Sequence, residues 1–292
     1  MHIQVVVRPH LTSPLPSDLP ERLVYSGIGD WITVSAGEWG HGFANLATRE
    51  AQIFLSPALA ADVRLVSRYF IDHYLLNFLL TEWAMLHASC VVKDRQLIVM
   101  VAPHNVGKST TALRLLRAGY TFLADGMVLF NRRSRFERDN MNDNNRHATS
   151  VTYNDLIVGG YPIGEVKLRD DVLALFPEYA QAGQSVQVRE HRKTVIDLRQ
   201  THPGQLVETV YRPSAIHVCL VERTTDYASH LTSLPSHDAL PTLAANTVFW
   251  DEPHRLAHNT AVLNQLMQTA HFHRLSIGTD PDSLITALET LL

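Results

Sequence analysis

The chain has 292 residues, 46% of them hydrophobic and 18% charged, with a formal net charge of −4. That length and composition describe a globular chain with a sizeable buried core. The slight acidity argues against a nucleic-acid binder, which carries a basic face and a high pI.

Short strand-like runs at 3–7, 31–34 and 51–55 are separated by Pro/Ser and Gly-rich turns, which predicts a small β-rich lobe over residues 1–57. A catalytic domain is expected over 58–292. It opens with a long amphipathic helix over 58–83, whose apolar face is Leu65, Tyr69, Tyr74, Leu76, Phe78 and Leu79. The greasiest part of that segment is broken by Asp72, His73 and Asn77, so it is too short and polar to cross a bilayer.

A compact unit follows. A strand over 86–92 and a turn at 93–95 lead to the continuously apolar run Leu97-Ile98-Val99-Met100-Val101, as in a strand covered on both faces. Next comes Gly107-Lys108-Ser109-Thr110, then a helix over 109–118 with Ala112, Leu113, Leu115 and Leu116 on one face. Gly119 stands where a helix ends, and a strand over 120–124 delivers Asp125.

The polar stretch from Asn131 to Ser150 reads as a long loop or an irregular hairpin, and its run Arg132-Arg133 with Arg135 and Arg138 as a solvated part of it. Further strands are expected near 194–198 and 215–221. A helix-rich end over 235–292 carries one short strand near 273–277. The start Met1-His2-Ile3 lacks a basic segment and a long apolar one, so no secretory leader is expected. The expectation is a soluble cytoplasmic protein with no membrane partner. Cys90 and Cys219 lie in apolar runs and read as buried thiols.

The tetrapeptide Gly107-Lys108-Ser109-Thr110 carries the chemistry. A phosphate-binding loop needs backbone N–H groups facing a cavity, a flexible amine and a hydroxyl for Mg²⁺. Val106 to Thr110 would supply these, with Lys108 on the β- and γ-phosphates of ATP and Ser109 on the metal. The Gly-Lys-Ser/Thr tripeptide occurs by chance in roughly one chain of this length in ten, so the weight rests on the strand entering it and the helix leaving it. The full pattern begins with Gly, and here that position is Ala102. If it requires positive φ, the Cβ costs about 1–2 kcal/mol; in extended backbone Ala is tolerated. His104 and Asn105 are polar loop residues within possible reach of a phosphate.

Asp125, at a strand end beside the loop, suits either Mg²⁺ coordination or proton acceptance from an attacking hydroxyl. His87 stands on the strand preceding the loop strand, with Ser89 on the same face. Elsewhere, His254 and His258 have a helical zinc spacing, but Arg255 replaces the Glu of a metalloprotease pattern, so a solvated face is expected. His271 and His273 read as surface residues on a strand. Arg192 and Lys193 are surface charges or contacts for a triphosphate or an acidic substrate segment.

The stretch LHASCVVKDRQLIVMVAPHNVGKSTTALRLLRAGYTFLADGMVLF, residues 86–130, resembles the catalytic core of the HPr serine kinase/phosphatase family, and more closely the HPr-kinase-related kinases. Tyr161-Pro162-Ile163, the run 191–198 and the run 215–222 are similar to those kinases more weakly. The resemblance implies an α/β P-loop core like that of HPr kinase and phosphoenolpyruvate carboxykinase. It implies an ATP- and Mg²⁺-dependent kinase that phosphorylates a serine of a small protein or peptide. Lys108, Asp125 and His87 match the catalytic positions, and Ser109 and Asp125 the metal positions. The parent family forms hexamers, which implies a homo-oligomer. Gly126 replaces the second acidic residue usual in the family, and no Glu-Arg-Gly equivalent is found, although Glu165 lies nearby. The rival expectations are a degenerate, non-catalytic ATP-binding sensor and a small-molecule hydroxyl kinase.

Overall fold

The structure, a computed structural model, describes residues 1–132, 156–188, 191–248 and 252–292. From residue 133 on, the expected loop lies outside the described residues. The chain forms two compact units, Met1–Glu82 and Trp83–Leu292.

The first unit holds five strands: β1 (His2–Val7), β2 (Val24–Ile28), β3 (Trp31–Ser35), β4 (Gly40–Asn45) and β5 (Glu50–Leu55). Their order is β1-β5-β4-β3-β2, with β1 parallel to β5 and the rest antiparallel. Alternate residues Ile32 and Val34, then Ala51, Ile53 and Leu55, turn inward. They pack against Leu59, Phe70, Tyr74 and Phe78. A Cβ on Gly42 would lie 2.6 Å from the Tyr74 hydroxyl oxygen, so only glycine lets that ring lie on the sheet.

The single helix expected over 58–83 is instead broken. It runs as Pro57–Ala61, Val63–Val66, a π turn Ser67–Ile71, and Asp72–Leu80. Asp62 makes the break: its non-helical backbone ends the first piece, and its carboxylate accepts the Leu65 N–H that opens the second. Because this apolar face closes the core of the five-stranded sheet, the compact unit runs to Glu82, past the boundary expected at residue 57.

Among its described residues, the second unit is mixed α/β with three sheets. Its strands are β6 (Ala84–Leu86), β7 (Ala88–Lys93), β8 (Gln96–Val101), β9 (Thr121–Asp125), β10 (Val128–Arg132), β11 (Leu156–Gly160), β12 (Glu165–Leu168), β13 (Gly183–Val188), β14 (His191–Asp197), β15 (Ala215–Arg223), β16 (His230–Ser233) and β17 (His271–Ile277). The main sheet has the order β16-β17-β15-β8-β7-β9; two smaller ones are β11-β10-β6 and β12-β14-β13. Strands β8, β15 and β17 are parallel, and β7 runs antiparallel to both β8 and β9. The carboxyl ends of β8, β9, β15 and β17 therefore share one edge.

The pleat of β8 divides its apolar run between two cores. Leu97, Val99 and Val101 face Ala239, Leu243, Val262 and Leu266 of the helices Ser236–Ala245 and Pro253–Thr269. Ile98 and Met100 face Ala112, Leu113, Leu115 and Leu116 of the helix Lys108–Arg117, with Leu284 and Leu288 of Pro281–Glu289. Cys90 and Cys219 are buried free thiols. Among the described residues no helix is long and apolar enough to cross a membrane.

The strand expected over 86–92 is also divided. Strand β6 joins β10 in a small sheet, while β7 enters the main sheet. His87 is the residue between them, and its N–H donates to the Asn246 carbonyl at 2.6 Å.

Candidate functional site

At the carboxyl edge of the main sheet, residues 102–107 connect β8 to the helix Lys108–Arg117. The positive φ values of this loop fall at Asn105 (+66°) and Gly107 (+125°), not at Ala102. Ala102 is fully buried, and its methyl is part of the same core as Leu113 and Tyr120. The departure from glycine there carries no backbone strain. Gly107 is where the conformation requires glycine. It precedes the first helical residue, and no side chain caps that end, so N–H groups of the first turn are left without side-chain acceptors.

Lys108 is 7% exposed. Its Nζ donates to the Ala102 carbonyl at 2.8 Å and the Pro103 carbonyl at 3.1 Å. Burial pulls its pKa below the ordinary lysine range; Asp125 opposes that shift and Lys193 adds to it.

Asp125 ends β9, as expected from the sequence. Two hydroxyls converge on its Oδ1: Ser109 Oγ at 2.8 Å, and Ser89 Oγ from β7. Register explains the second, because Ser89 stands directly opposite Asp125 in the β7–β9 ladder. The close approach of β11 also holds β9 in place. A Cβ on Gly160 would lie 2.5 Å from the Leu123 carbonyl oxygen.

His87 Nδ1 lies 2.8 Å from the Gly126 carbonyl oxygen. That oxygen only accepts, so Nδ1 carries the proton, and in the neutral ring Nε2 is an acceptor. Burial lowers the His87 pKa and the Lys108 charge lowers it further, against the Gly126 bond and Asp125. The ring of His104 lies 4.8 Å from that of His87. Gly126, where the family usually has an acid, sits at φ +90°, a conformation side chains rarely adopt.

These groups line a cleft of about 660 Å³. His87, Lys108, Ser109, Thr110 and Asp125 all face it with Gly107, and the structure brings them together. Val106 is not on its wall; its side chain packs on the core and its carbonyl accepts from Arg223 Nε at 2.9 Å. Sequence reasoning gave no role to Arg223, Lys167 or Arg169, which also line the cleft, and left Lys193 ambiguous. Arg223 had a signal. It ends the buried strand run of β15, as Asp125 ends β9. Glu165 lines the cleft too, paired with Lys167 at 2.8 Å.

Away from the cleft, the His254–His258 helix is not solvated throughout. Arg255 between them is 3% exposed and pairs with Glu252 at 3.0 Å. His273 is likewise more than a surface residue. Its Nε2 lies 3.2 Å from Nδ1 of His217, a residue 8% exposed. Among the described residues no group of three His, Cys, Asp or Glu could hold a metal ion.

The class defined so far is a mixed α/β chain with several sheets and a cationic cleft at a strand–loop–helix turn. No protein-family model and no curated protein matches the chain. Among solved structures it is weakly similar to the HPr(Ser) kinase/phosphatase from Coxiella burnetii, with 11% identity, a TM-score of 0.32, and coverage of 71% of this chain and 89% of that chain.

Proposed function

We propose that this chain is an ATP-dependent kinase that transfers the γ-phosphate to a serine hydroxyl of a small protein or peptide. The observation that carries this reading is the meeting of Ser109 Oγ with Asp125 Oδ1 at 2.8 Å beside the buried Lys108. Phosphoryl transfer asks chiefly for positioning and charge neutralisation, and one cation, one carboxylate and a glycine-led helix start meet that need.

Mg²⁺ takes one or two protein oxygens plus substrate phosphates rather than an all-protein cage. Asp125 and Ser109 offer hard oxygen donors of that kind, so they are the residues that would hold it. There the metal supplies neutralisation of phosphate charge. Asp125 would also orient and deprotonate the acceptor hydroxyl. His87, neutral with Nε2 as acceptor, suits a hydroxyl donor better than an anionic phosphoryl oxygen. Thr110 and the backbone of Gly107 and Lys108 would line the phosphates.

The test is incubation of the full chain with labelled ATP and Mg²⁺ in a native lysate, with Lys108→Ala as control. The expected product is a phosphoserine on a small protein or peptide, identified by mass spectrometry and reduced at least ~10³-fold in the control. Tight ATP binding without transfer to any acceptor sinks the kinase assignment. A labelled metabolite with no peptide product replaces it with a small-molecule kinase.

A further inference from the structure

The cleft has a second wall, formed by β12 and β14. Glu165, Lys167 and Arg169 come from the β12 side and Lys193 from β14. Antiparallel register places Glu165 opposite Asp197 and Lys167 opposite Val195, so Lys193 continues the same face of that sheet. Ile196, on the other face, is buried in the core.

The charges on this wall are not equivalent. Lys167 is paired with Glu165 at 2.8 Å and Arg169 with Asp171 at 2.6 Å. Lys193 has no carboxylate within ion-pair distance among the described residues. It faces the same cleft as Lys108, and its charge helps to lower the Lys108 pKa. Two cations facing one cleft, neither in ion-pair contact with a carboxylate among the described residues, form a site that an anion between them would relieve.

We propose that Lys193 is a second phosphate-contacting residue, engaging the terminal phosphoryl group of ATP from the β12–β14 wall while Lys108 engages it from the loop. This rests on the nucleotide site proposed above. Lys193 would carry part of the charge of the group in transit and would discriminate ATP from ADP, because only ATP extends a phosphate to it.

The experiment is equilibrium binding of ATP–Mg²⁺ and ADP–Mg²⁺ to the full chain and to Lys193→Ala, Lys193→Gln and Lys193→Arg, with thermal midpoints measured alongside. The expected result is a loss of ATP affinity on the order of 10- to 100-fold in Lys193→Ala and Lys193→Gln, with ADP affinity and thermal midpoint unchanged. Lys193→Arg should restore most of the loss. If Lys193→Ala does not fold, the Gln and Arg variants carry the comparison. Equal loss of ATP and ADP affinity, or no loss of either, overturns the role of Lys193 and leaves the nucleotide site standing. A wild-type chain that binds neither nucleotide overturns both.

Discussion

The main sheet has two edges, and each gathers titratable side chains. At the carboxyl edge are Lys108, Asp125, His87 and Arg223, around a cleft and beside a loop with two positive-φ residues. At the amino edge are His217, His271 and His273, with Gln96 Oε1 2.8 Å from His217 Nε2. There the groups satisfy one another. Burial first, and then His273 and His271, lower the His217 pKa to about 4, so His217 is neutral and closed off. At the carboxyl edge charges of both signs are held half-buried and open to a ligand. A concentration of histidines is therefore a poorer guide to chemistry than a few mismatched charges at a cavity.

The largest effect that would sharpen this contrast is on Asp125. Asp125→Asn keeps the shape of the strand end and removes its charge; phosphoryl transfer should fall roughly 10²- to 10⁴-fold, measured as initial rate on the acceptor found in lysate. His217→Gln should leave that rate unchanged, and a comparable loss would collapse the distinction between the edges.

The same variant carries the next effect, on stability. The His217 pKa is lowered from 6.5 to about 4 on folding, so between those values the unfolded chain binds the extra proton. The stabilisation is complete above the unfolded pKa and is lost as pH falls through that window, by about 3 kcal/mol in all. Urea denaturation at pH 7 and pH 4 should show a smaller drop for His217→Gln than for the wild type. Equal drops would mean that the amino edge is not closed.

Gly107→Ala tests the loop. At φ +125° an added methyl is strained although its nearest neighbours stand at 3.8 Å. A stability loss of about 1–3 kcal/mol is expected by calorimetry, with weaker ATP binding. The smallest effect is that of Ser89→Ala. It removes one of the two hydroxyls on Asp125 and should slow transfer by roughly 5- to 10-fold, about 1 kcal/mol; a rate as low as that of Asp125→Asn would give Ser89 a larger part than positioning.

Much of the second unit is legible in the sequence because its signals are local. The apolar run of β8, the face of Lys108–Arg117 and the position of Asp125 at the end of β9 each follow from a few consecutive residues. What is not legible depends on distant partners. Leu86 to Val92 reads as one strand, and nothing within it marks His87 as the break between two sheets. That break is set by a bond to the Asn246 carbonyl. The convergence of Ser89 on Asp125 depends on a ladder register, and the approach of Lys193 on how the β12–β14 sheet is placed. The break at Asp62 was available in principle, since Asp is a favoured cap, but the apolar periodicity on either side conceals it.

The bonds from Lys108 to the Ala102 and Pro103 carbonyls have a thermodynamic consequence. The ammonium is already solvated by the chain, so an arriving anion does not find a bare charge; it displaces an internal ligand. Its net affinity is the difference between two sets of hydrogen bonds. In the nucleotide site proposed above, a weakly charged visitor would gain little from the exchange and a polyphosphate more, so the loop would act as a built-in threshold against lesser anions.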